Sequence, residues 1–256
     1  MSINKRTKIN QLVSEWPSGM VYTQTYLTEL GYSAQLVHRY IKSGWLVPLG
    51  NGVYQKKKDT ISWLGGLAAI QGQLEKNIHV GGKTALALLG ISHYGRLKES
   101  SVFLFASEGE NLPKWFDNRK WQGKIILTRT SFLSVADKNS FISVDEGGFS
   151  VRSSSKERAI LEVLYHVPGK QGFDEAYKLM EMLPSLRPKL MGELLRSCKS
   201  VKVNRLFCFM AEEIGHSWFS ELDLDGLNLG SGKREIVKGG LLNKKYNITV
   251  PREYTQ

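Results

Sequence analysis

The sequence predicts an α+β fold in which a small helical unit with a β-hairpin comes first and a mixed α/β domain follows. Three observations predict it. Apolar residues recur at helical spacing through residues 5–43, a Gly-Asn-Gly turn between two short strand-like runs comes next, and the remaining chain has strand-like runs followed by several amphipathic helices. At 256 residues, 41% of them hydrophobic, the chain is long enough for two domains.

The first two helices are short and end at residues that break helices. Apolar residues follow helical spacing through residues 5–16, and the Pro-Ser-Gly sequence at 17–19 ends this helix. Thr23 or Thr25 is suited to cap a second helix. That helix ends at Gly31, because glycine readily adopts the left-handed turn after a helix.

A third helix is predicted to present a polar row to solvent. Ser33 caps it, and residues 34–43 have one apolar face opposite several polar side chains. The tight turn before this helix makes a helix-turn-helix unit, whose second helix supplies the polar row that recognises DNA bases. Two short strands around the Gly-Asn-Gly turn at 50–52 then form a hairpin. Together these elements predict a winged helix-turn-helix over residues 1–60.

Positive charge is concentrated in this unit. Residues 1–60 contain eight Lys or Arg and three Asp or Glu, so +5 of the net charge of +11 lies in under a quarter of the chain. Cations on the helices and the wing are placed to contact phosphates on both sides of a DNA groove, while polar side chains reach base edges. A protein-interaction module of the same shape is the alternative. The predicted DNA-binding residues are Lys5, Arg6, Ser33, Gln35, His38, Arg39, Lys42, Asn51, Lys56, Lys57 and Lys58.

The rest of the chain predicts a small sheet followed by helices. We place a C-terminal domain at residues 61–256, with residues 61–90 as a helical link to it. Strands are predicted at 102–105, 124–127, 141–144, 149–152 and 246–250. Helices are predicted at 60–76, 83–89, 174–182, 189–198 and 203–214, and another runs through Tyr165 with Ser154 or Ser155 as its cap.

Charge, hydropathy and cysteine content indicate the environment of the protein. A net charge of +11 attracts polyanions such as nucleic acid or an anionic membrane surface. No apolar run approaches the roughly 20 residues that cross a bilayer, and the first ten residues lack the apolar stretch of a signal peptide, so we predict a cytoplasmic protein without membrane contact. Cys198 and Cys208 are expected to be reduced core residues.

Two glycine-rich segments are similar to phosphate-binding loops but lack the required spacing. The Gly-Gly-Lys-Thr sequence at 81–84 has Asn77 where such a loop needs its first glycine. The Gly-Ser-Gly-Lys-Arg sequence at 230–234 has Leu227 at that position. We expect a plain helix start at the first segment and a flexible basic loop at the second.

No pattern of residues predicts an enzyme. Glu212, Glu213 and His216 fall within one helical turn, yet no second histidine or cysteine lies at ligand spacing. The Asp-Leu-Asp sequence at 223–225 lacks the preceding glycine-serine phosphate turn of nucleotidyl transfer sites. The sequence therefore predicts a protein without catalytic residues, metal or cofactor.

Several segments together carry a family resemblance. They are Trp-Pro at 16–17, Leu-Gly-Tyr-Ser at 30–33, Tyr-Ile-Lys-Ser-Gly-Trp-Leu at 40–46, Leu-Gly-Asn-Gly-Val-Tyr at 49–54, His-Val-Gly-Gly-Lys-Thr-Ala-Leu at 79–86 and Arg-Leu-Phe at 205–207. With these segments the chain resembles the AbiEi antitoxins of abortive-infection, type IV toxin–antitoxin systems. The likeness runs through most of the chain.

The resemblance implies a function that composition and periodicity do not. It implies an N-terminal domain that represses its own operon by binding inverted repeats in the double-stranded promoter DNA. It also implies a C-terminal domain that counteracts a nucleotidyltransferase toxin in phage defence, with or without stable contact between the two proteins. Basic residues that would extend the DNA footprint or act in antitoxicity are Lys233, Arg234, Lys238, Lys244 and Lys245.

Two other functions remain open at this point. One is a stand-alone winged-helix transcription factor whose C-terminal domain senses a small ligand. The other is a nucleic-acid-processing enzyme that a winged helix directs to its substrate, which would need Asp223 or Glu212 for metal-dependent turnover.

Overall fold

The structure, a computed structural model, describes residues 8–91 and 101–254. Lys5 and Arg6, two of the predicted DNA-binding residues, lie outside the described residues. Within them the chain forms α-helices and three separate sheets, which confirms the predicted α+β class.

Three helices and a small antiparallel sheet share one core at the start of the chain. Leu12, Trp16, Leu27 and Val37 are buried in it. The sheet has a two-residue strand before the second helix that the sequence pattern did not predict, and the last strand lies between the other two. The elements are α1 (Lys8–Glu15), β1 (Tyr22–Thr23), α2 (Gln24–Glu29), α3 (Ala34–Lys42), β2 (Leu46–Gly50) and β3 (Val53–Lys56).

Side-chain caps fix where these helices begin. The Thr23 hydroxyl accepts from the Tyr26 backbone N–H at 3.2 Å, which settles which of the two threonines caps α2. Ser33 caps α3 in the same way, accepting from the Leu36 N–H at 3.4 Å, as predicted. Gly31 has a φ of +86°, so the turn between the two helices uses a left-handed conformation that favours glycine.

A five-stranded sheet forms the centre of the rest of the molecule, with strand order β6-β5-β4-β8-β7. Its middle strand comes from the segment predicted as a helical link, and all three residues of that strand are buried. The segment therefore contributes to the sheet as well as two helices. The elements are α4 (Trp63–Gly72), β4 (Ile78–Val80), α5 (Gly82–Leu88), β5 (Val102–Ala106), α6 (Lys114–Asp117), β6 (Ile125–Arg129), β7 (Phe141–Glu146) and β8 (Phe149–Ser154).

Four helices and a small three-stranded sheet complete the chain. One large apolar core joins these helices to the central sheet. Cys198 and Cys208 are buried and free, as predicted, and burial raises the pKa of their thiols to about 11 and about 12. The elements are α7 (Lys156–His166), α8 (Phe173–Glu181), α9 (Pro188–Ser197), α10 (Val201–Ile214), β9 (Arg234–Glu235), β10 (Leu241–Asn243) and β11 (Ile248–Val250).

The backbone of the Gly-Gly-Lys-Thr segment binds a carboxylate of the protein itself. α5 begins here, as predicted, and the Gly82 backbone N–H donates to Glu162 Oε2 at 2.8 Å. A Cβ atom at Gly81 would overlap that same oxygen, so glycine is required for this close approach. Lys83 pairs with Glu175 at 3.0 Å. The place a phosphate would take at this helix start is filled by Glu162.

Glu162 is the centre of a buried polar network. His79 Nε2, Ser154 Oγ and Arg158 Nε lie 2.9, 2.8 and 3.0 Å from its carboxylate oxygens. Burial alone raises the pKa of Glu162, but His79, Arg158 and the Gly82 N–H outweigh it and hold the pKa below its ordinary value. The carboxylate is therefore ionised and fully partnered inside the core.

Acid is expected to destabilise the protein through a buried histidine. His166 is 7% exposed, and burial and Lys170 lower its pKa to about 4. An unfolded histidine titrates near pH 6.5, so the folded protein with neutral His166 has its full free energy of unfolding above that pH. The free energy of unfolding then falls by about 3 kcal/mol as the pH drops from 6.5 towards 4. Urea unfolding between pH 7.5 and 4.5 measures the loss.

The matched variants for this pH series are His166→Gln and His38→Gln. The glutamine amide at position 166 keeps a hydrogen-bonding group near Thr128 Oγ1, which lies 2.8 Å from His166 Nε2. His166→Gln should flatten the pH dependence, although buried His79, whose pKa burial also lowers, still contributes. His38 is exposed on α3, and its replacement is the control for removing a histidine from the chain. Equal pH dependence in all three proteins would contradict the assignment.

Candidate nucleic-acid interface

The helix α3 carries an exposed polar row. Gln35, His38, Arg39 and Lys42 are exposed, as the sequence predicts. These side chains recur at helical spacing, so they share one face of the helix. The opposite face holds α3 in the core of the first unit, with Val37 and Tyr40 buried. This surface of α3 is free to enter a groove of another molecule.

The segment around this row contains no negative charge. Residues 30–58 include five Lys or Arg and no Asp or Glu. Lys57 lies beside the end of α3, since a Cβ atom at Gly44 would be 3.0 Å from its ammonium nitrogen. The Lys57 backbone N–H also donates to the Trp45 carbonyl at 2.9 Å. The hairpin thus brings one wing cation to the last turn of α3, where Arg39 and Lys42 lie.

The other predicted residues have different surroundings. Asn51 and Lys58 are exposed on the hairpin. Ser33 is exposed too, but its oxygen caps α3, so its role in holding the helix is established by the geometry. Lys56 turns inward. Its ammonium donates to the Trp16 carbonyl at 2.6 Å and lies 3.9 Å from Asp59, so it fastens the hairpin to the end of α1.

Two apolar side chains on this surface were not predicted. Trp45 and Val47 are 45% and 37% exposed, next to α3 and along β2. Leu46 between them is buried, so exposure alternates over residues 45–47 and both neighbours face solvent. The alternation ends there, because Pro48 is exposed as well. Apolar groups in such a place can contact thymine methyl groups. The available signal was this alternation at the start of the hairpin.

The tip of the hairpin rests on helix α6, outside the first unit. A Cβ atom at Gly50 would lie 3.0 Å from Trp115 Cβ. A groove of about 610 Å³ runs beside this contact and is lined by Asn51, Lys114 and Arg119 among others. Trp115 also packs against the small core around Val53. The orientation of the hairpin therefore depends on α6.

The first unit and α4 also meet closely. A Cβ atom at Gly65 would overlap the Gly19 carbonyl oxygen. The backbone of α4 therefore lies directly against the backbone of the loop at Gly19. Val21, Val53, Ile61 and Ala69 share a buried cluster across this contact. Cutting the chain near residue 60 would expose these side chains to water.

The backbone that carries the basic residues near the C-terminus is anchored to helix α10. Arg205 is buried and donates to the carbonyls of Leu229, Gly232 and Asn247 at 2.5, 2.7 and 3.0 Å. The segment at 230–234, expected to be a flexible loop, is thus anchored, and this expectation is corrected. Lys245 pairs with Glu212. Lys233, Arg234, Lys238 and Lys244 are exposed in the same region.

Three of the residues considered as metal ligands are engaged elsewhere. Glu212 accepts from the Tyr246 hydroxyl at 3.0 Å, and His216 Nε2 lies 2.8 Å from the Met180 carbonyl. Asp223 pairs with Arg196 at 3.1 Å. Among the described residues no group of three potential ligands is placed to hold a metal ion.

No helix in residues 8–91 and 101–254 is both long and apolar enough to cross a membrane.

Comparison with known structures gives a fold relative. The chain is similar to a crystal structure of the RV2827C protein from Mycobacterium tuberculosis, with a TM-score of 0.63 over 94% of this chain and 88% of that chain. The sequences are 12% identical, so the similarity is one of fold. None of the curated proteins compared with this chain matches it.

Two family models together span almost the entire sequence. Residues 5–97 match a model described as the AbiEi antitoxin N-terminal domain of a transcriptional regulator. Residues 99–251 match a model described as a transcriptional regulator, AbiEi antitoxin, of a type IV toxin–antitoxin system. The chain therefore belongs to the AbiEi antitoxin family of transcriptional regulators.

Proposed function

We propose that this protein represses its own operon through residues 1–60, which act as a winged helix-turn-helix on inverted repeats in the promoter. The observation that carries the proposal is the exposed row of Gln35, His38, Arg39 and Lys42 within a segment free of acidic residues. In this arrangement α3 enters the major groove and the hairpin contacts the flanking backbone. Trp45 and Val47, which lie between α3 and the tip of the hairpin, add apolar contacts with the DNA.

We further propose that residues 61–256 counteract a nucleotidyltransferase toxin without catalysing a reaction themselves. The family of antitoxins to which the chain belongs supports this role. The protein acts in the cytoplasm, where both its operon and its toxin are found. Co-expression with the toxin, in cells whose growth the toxin stops, tests the proposal: recovery of growth supports it, and continued arrest contradicts it.

Sequence-specific DNA binding is tested by fluorescence anisotropy. The full chain is titrated into labelled promoter DNA and into a scrambled duplex of the same composition, across a salt series. A specific repressor should bind the promoter about a hundredfold or more tighter at physiological salt. Equal affinities that fall together as salt rises would reduce the surface to a general polyanion-binding face.

The support of the hairpin by α6 gives a separate prediction for the full chain. Gly50→Val should lower promoter affinity about fivefold, because a side chain there collides with Trp115 and tilts the wing, and each 1.4 kcal/mol corresponds to a tenfold change. Pro48→Val is the matched control, since it places the same side chain at an exposed position of the same strand. Anisotropy titrations of both variants measure the effect, and equal affinities for them would contradict the proposed support.

A further inference from the structure

A basic groove of about 650 Å³ lies on the second half of the chain, away from the residues proposed to bind DNA. It forms where the end of β6, the end of α7 and the start of α10 meet, and no residue of 8–59 lines it. None of its lining residues is acidic. The polar ones are Thr128, Arg129, Tyr165, His166, Lys170 and Lys202.

Two of the three cations in this groove are held in position. The Lys202 ammonium donates to the Tyr165 and Val167 carbonyls at 2.7 and 2.5 Å. Since an ammonium has three protons, one remains for a ligand. The Arg129 guanidinium donates to the Glu110 carbonyl at 2.6 Å and to Asn111 Oδ1 at 2.7 Å. Cations ordered in advance lose little entropy when an anion binds.

The third cation and the neighbouring histidine complete the polar lining. Lys170 is exposed at the groove, and His166 lies beside it with Thr128 Oγ1 2.8 Å from its Nε2 atom. Burial lowers the pKa of His166, Lys170 and Lys202 lower it further, and the buried Glu162 carboxylate acts in the opposite direction. Near neutral pH the imidazole is uncharged and offers hydrogen bonds rather than charge.

These features define the chemistry of a ligand. Three cations without a carboxylate select an anion, and an amine or a neutral apolar molecule would leave them unpaired. The volume lies in the range of small-molecule sites, roughly 300–1,000 Å³, and exceeds what a single inorganic phosphate fills. We propose that this groove binds a phosphate-bearing small molecule of about mononucleotide size.

Isothermal titration calorimetry on the full chain tests the proposal. The probes are inorganic phosphate, pyrophosphate, adenosine monophosphate and guanosine monophosphate. At least one mononucleotide should bind saturably, one per chain, and about tenfold or more tighter than inorganic phosphate, a difference of 1.4 kcal/mol. Arg129→Gln with Lys170→Gln should weaken that binding at least tenfold, and both side chains are exposed, so folding is not at risk.

The control is Lys189→Gln with Lys244→Gln, which removes the same charge from exposed positions outside the groove. This variant should bind the probe as the parent does. Equal loss in both double variants would reduce the effect to net charge and overturn the proposal. The absence of saturable binding, or equal affinity for phosphate and mononucleotides, would overturn it as well.

Duplex DNA carries the same phosphate groups, so its binding to the groove is tested separately. The groove variant should retain parental affinity for promoter DNA, and promoter DNA should not displace the mononucleotide. If DNA displaces the probe and the groove variant loses DNA affinity, the groove is part of the DNA interface and the proposal is wrong. Because this site does not depend on the winged helix, a failure of promoter binding in the parent leaves the calorimetric result intact.

Discussion

Glu162→Gln is expected to destabilise the protein by about 3–5 kcal/mol, since removing one partner of a buried charged network leaves the others uncompensated. Arg158 would keep its charge in the core without a carboxylate, and the Gly82 N–H and Ser154 hydroxyl would face an amide that offers one acceptor oxygen. Total stabilities of domains are about 5–15 kcal/mol, so the variant would be close to unfolding. Urea unfolding followed by circular dichroism measures the loss.

Glu175→Gln is the matched control for this experiment. Glu175 pairs with Lys83 at 3.0 Å and so attaches to the same Gly-Gly-Lys-Thr segment, but this ion pair is partly exposed. Its loss should cost less than about 1 kcal/mol. If the two variants have the same stability, the network around Glu162 does not hold the start of α5 in the way described.

Local signals in the sequence were sufficient for most of the helices and for the hairpin, whereas the four-residue helix α6 was not predicted. Ser33 has the side chain that caps α3, and the glycines at 50 and 52 flank a turn, so neighbouring residues decide both structures. The strand β4 is different. Its three residues pair with β5 and β8, and β8 lies more than 70 residues along the chain, so its conformation is decided by distant partners.

The side-chain partners in the buried network around Glu162 are likewise decided by residues distant in the sequence. His79 and Glu162 are 83 positions apart, and nothing in the sequence near His79 indicates its partner. The spacing of Arg158 and Glu162 by four residues on α7 was a local signal, because such a pair shares one helix face. Burial of that face could not be predicted, since acidic and basic residues on a helix usually face water.

The candidate DNA surface was predictable in part. The exposed row on α3 follows from its helical period, and the structure places all four of its side chains as predicted. The inward direction of Lys56 does not follow, because the Trp16 carbonyl that it contacts lies 40 residues earlier. Charge alone therefore indicates the unit that binds a polyanion but not which cations are free.

Arg39→Ala combined with Lys42→Ala is expected to lower promoter affinity about a hundredfold, or 2.7 kcal/mol, because the last turn of α3 loses both of its cations. Both side chains are exposed and neither caps the helix, so the fold should be unaffected. If both side chains contact phosphates, their loss should make the negative slope of log affinity against log salt shallower by about 1.8. Anisotropy titrations across a salt series give both quantities.

Lys138→Ala with Lys189→Ala separates specific contacts from net charge. It removes the same charge from exposed positions outside residues 8–59, and it should lower promoter affinity only slightly. Equal losses in the two double variants would contradict the proposed role of α3.

The same Arg39→Ala/Lys42→Ala variant also tests whether the two functions use separate surfaces. A truncation at residue 60 cannot do so cleanly, because Val21 and Val53 pack against Ile61 and Ala69 across the cut. In the full chain, this variant should still restore growth of cells that express the toxin while it fails to repress the promoter. If both activities are lost while the protein remains folded, α3 serves antitoxicity as well, and the neutralising surface extends into the first unit.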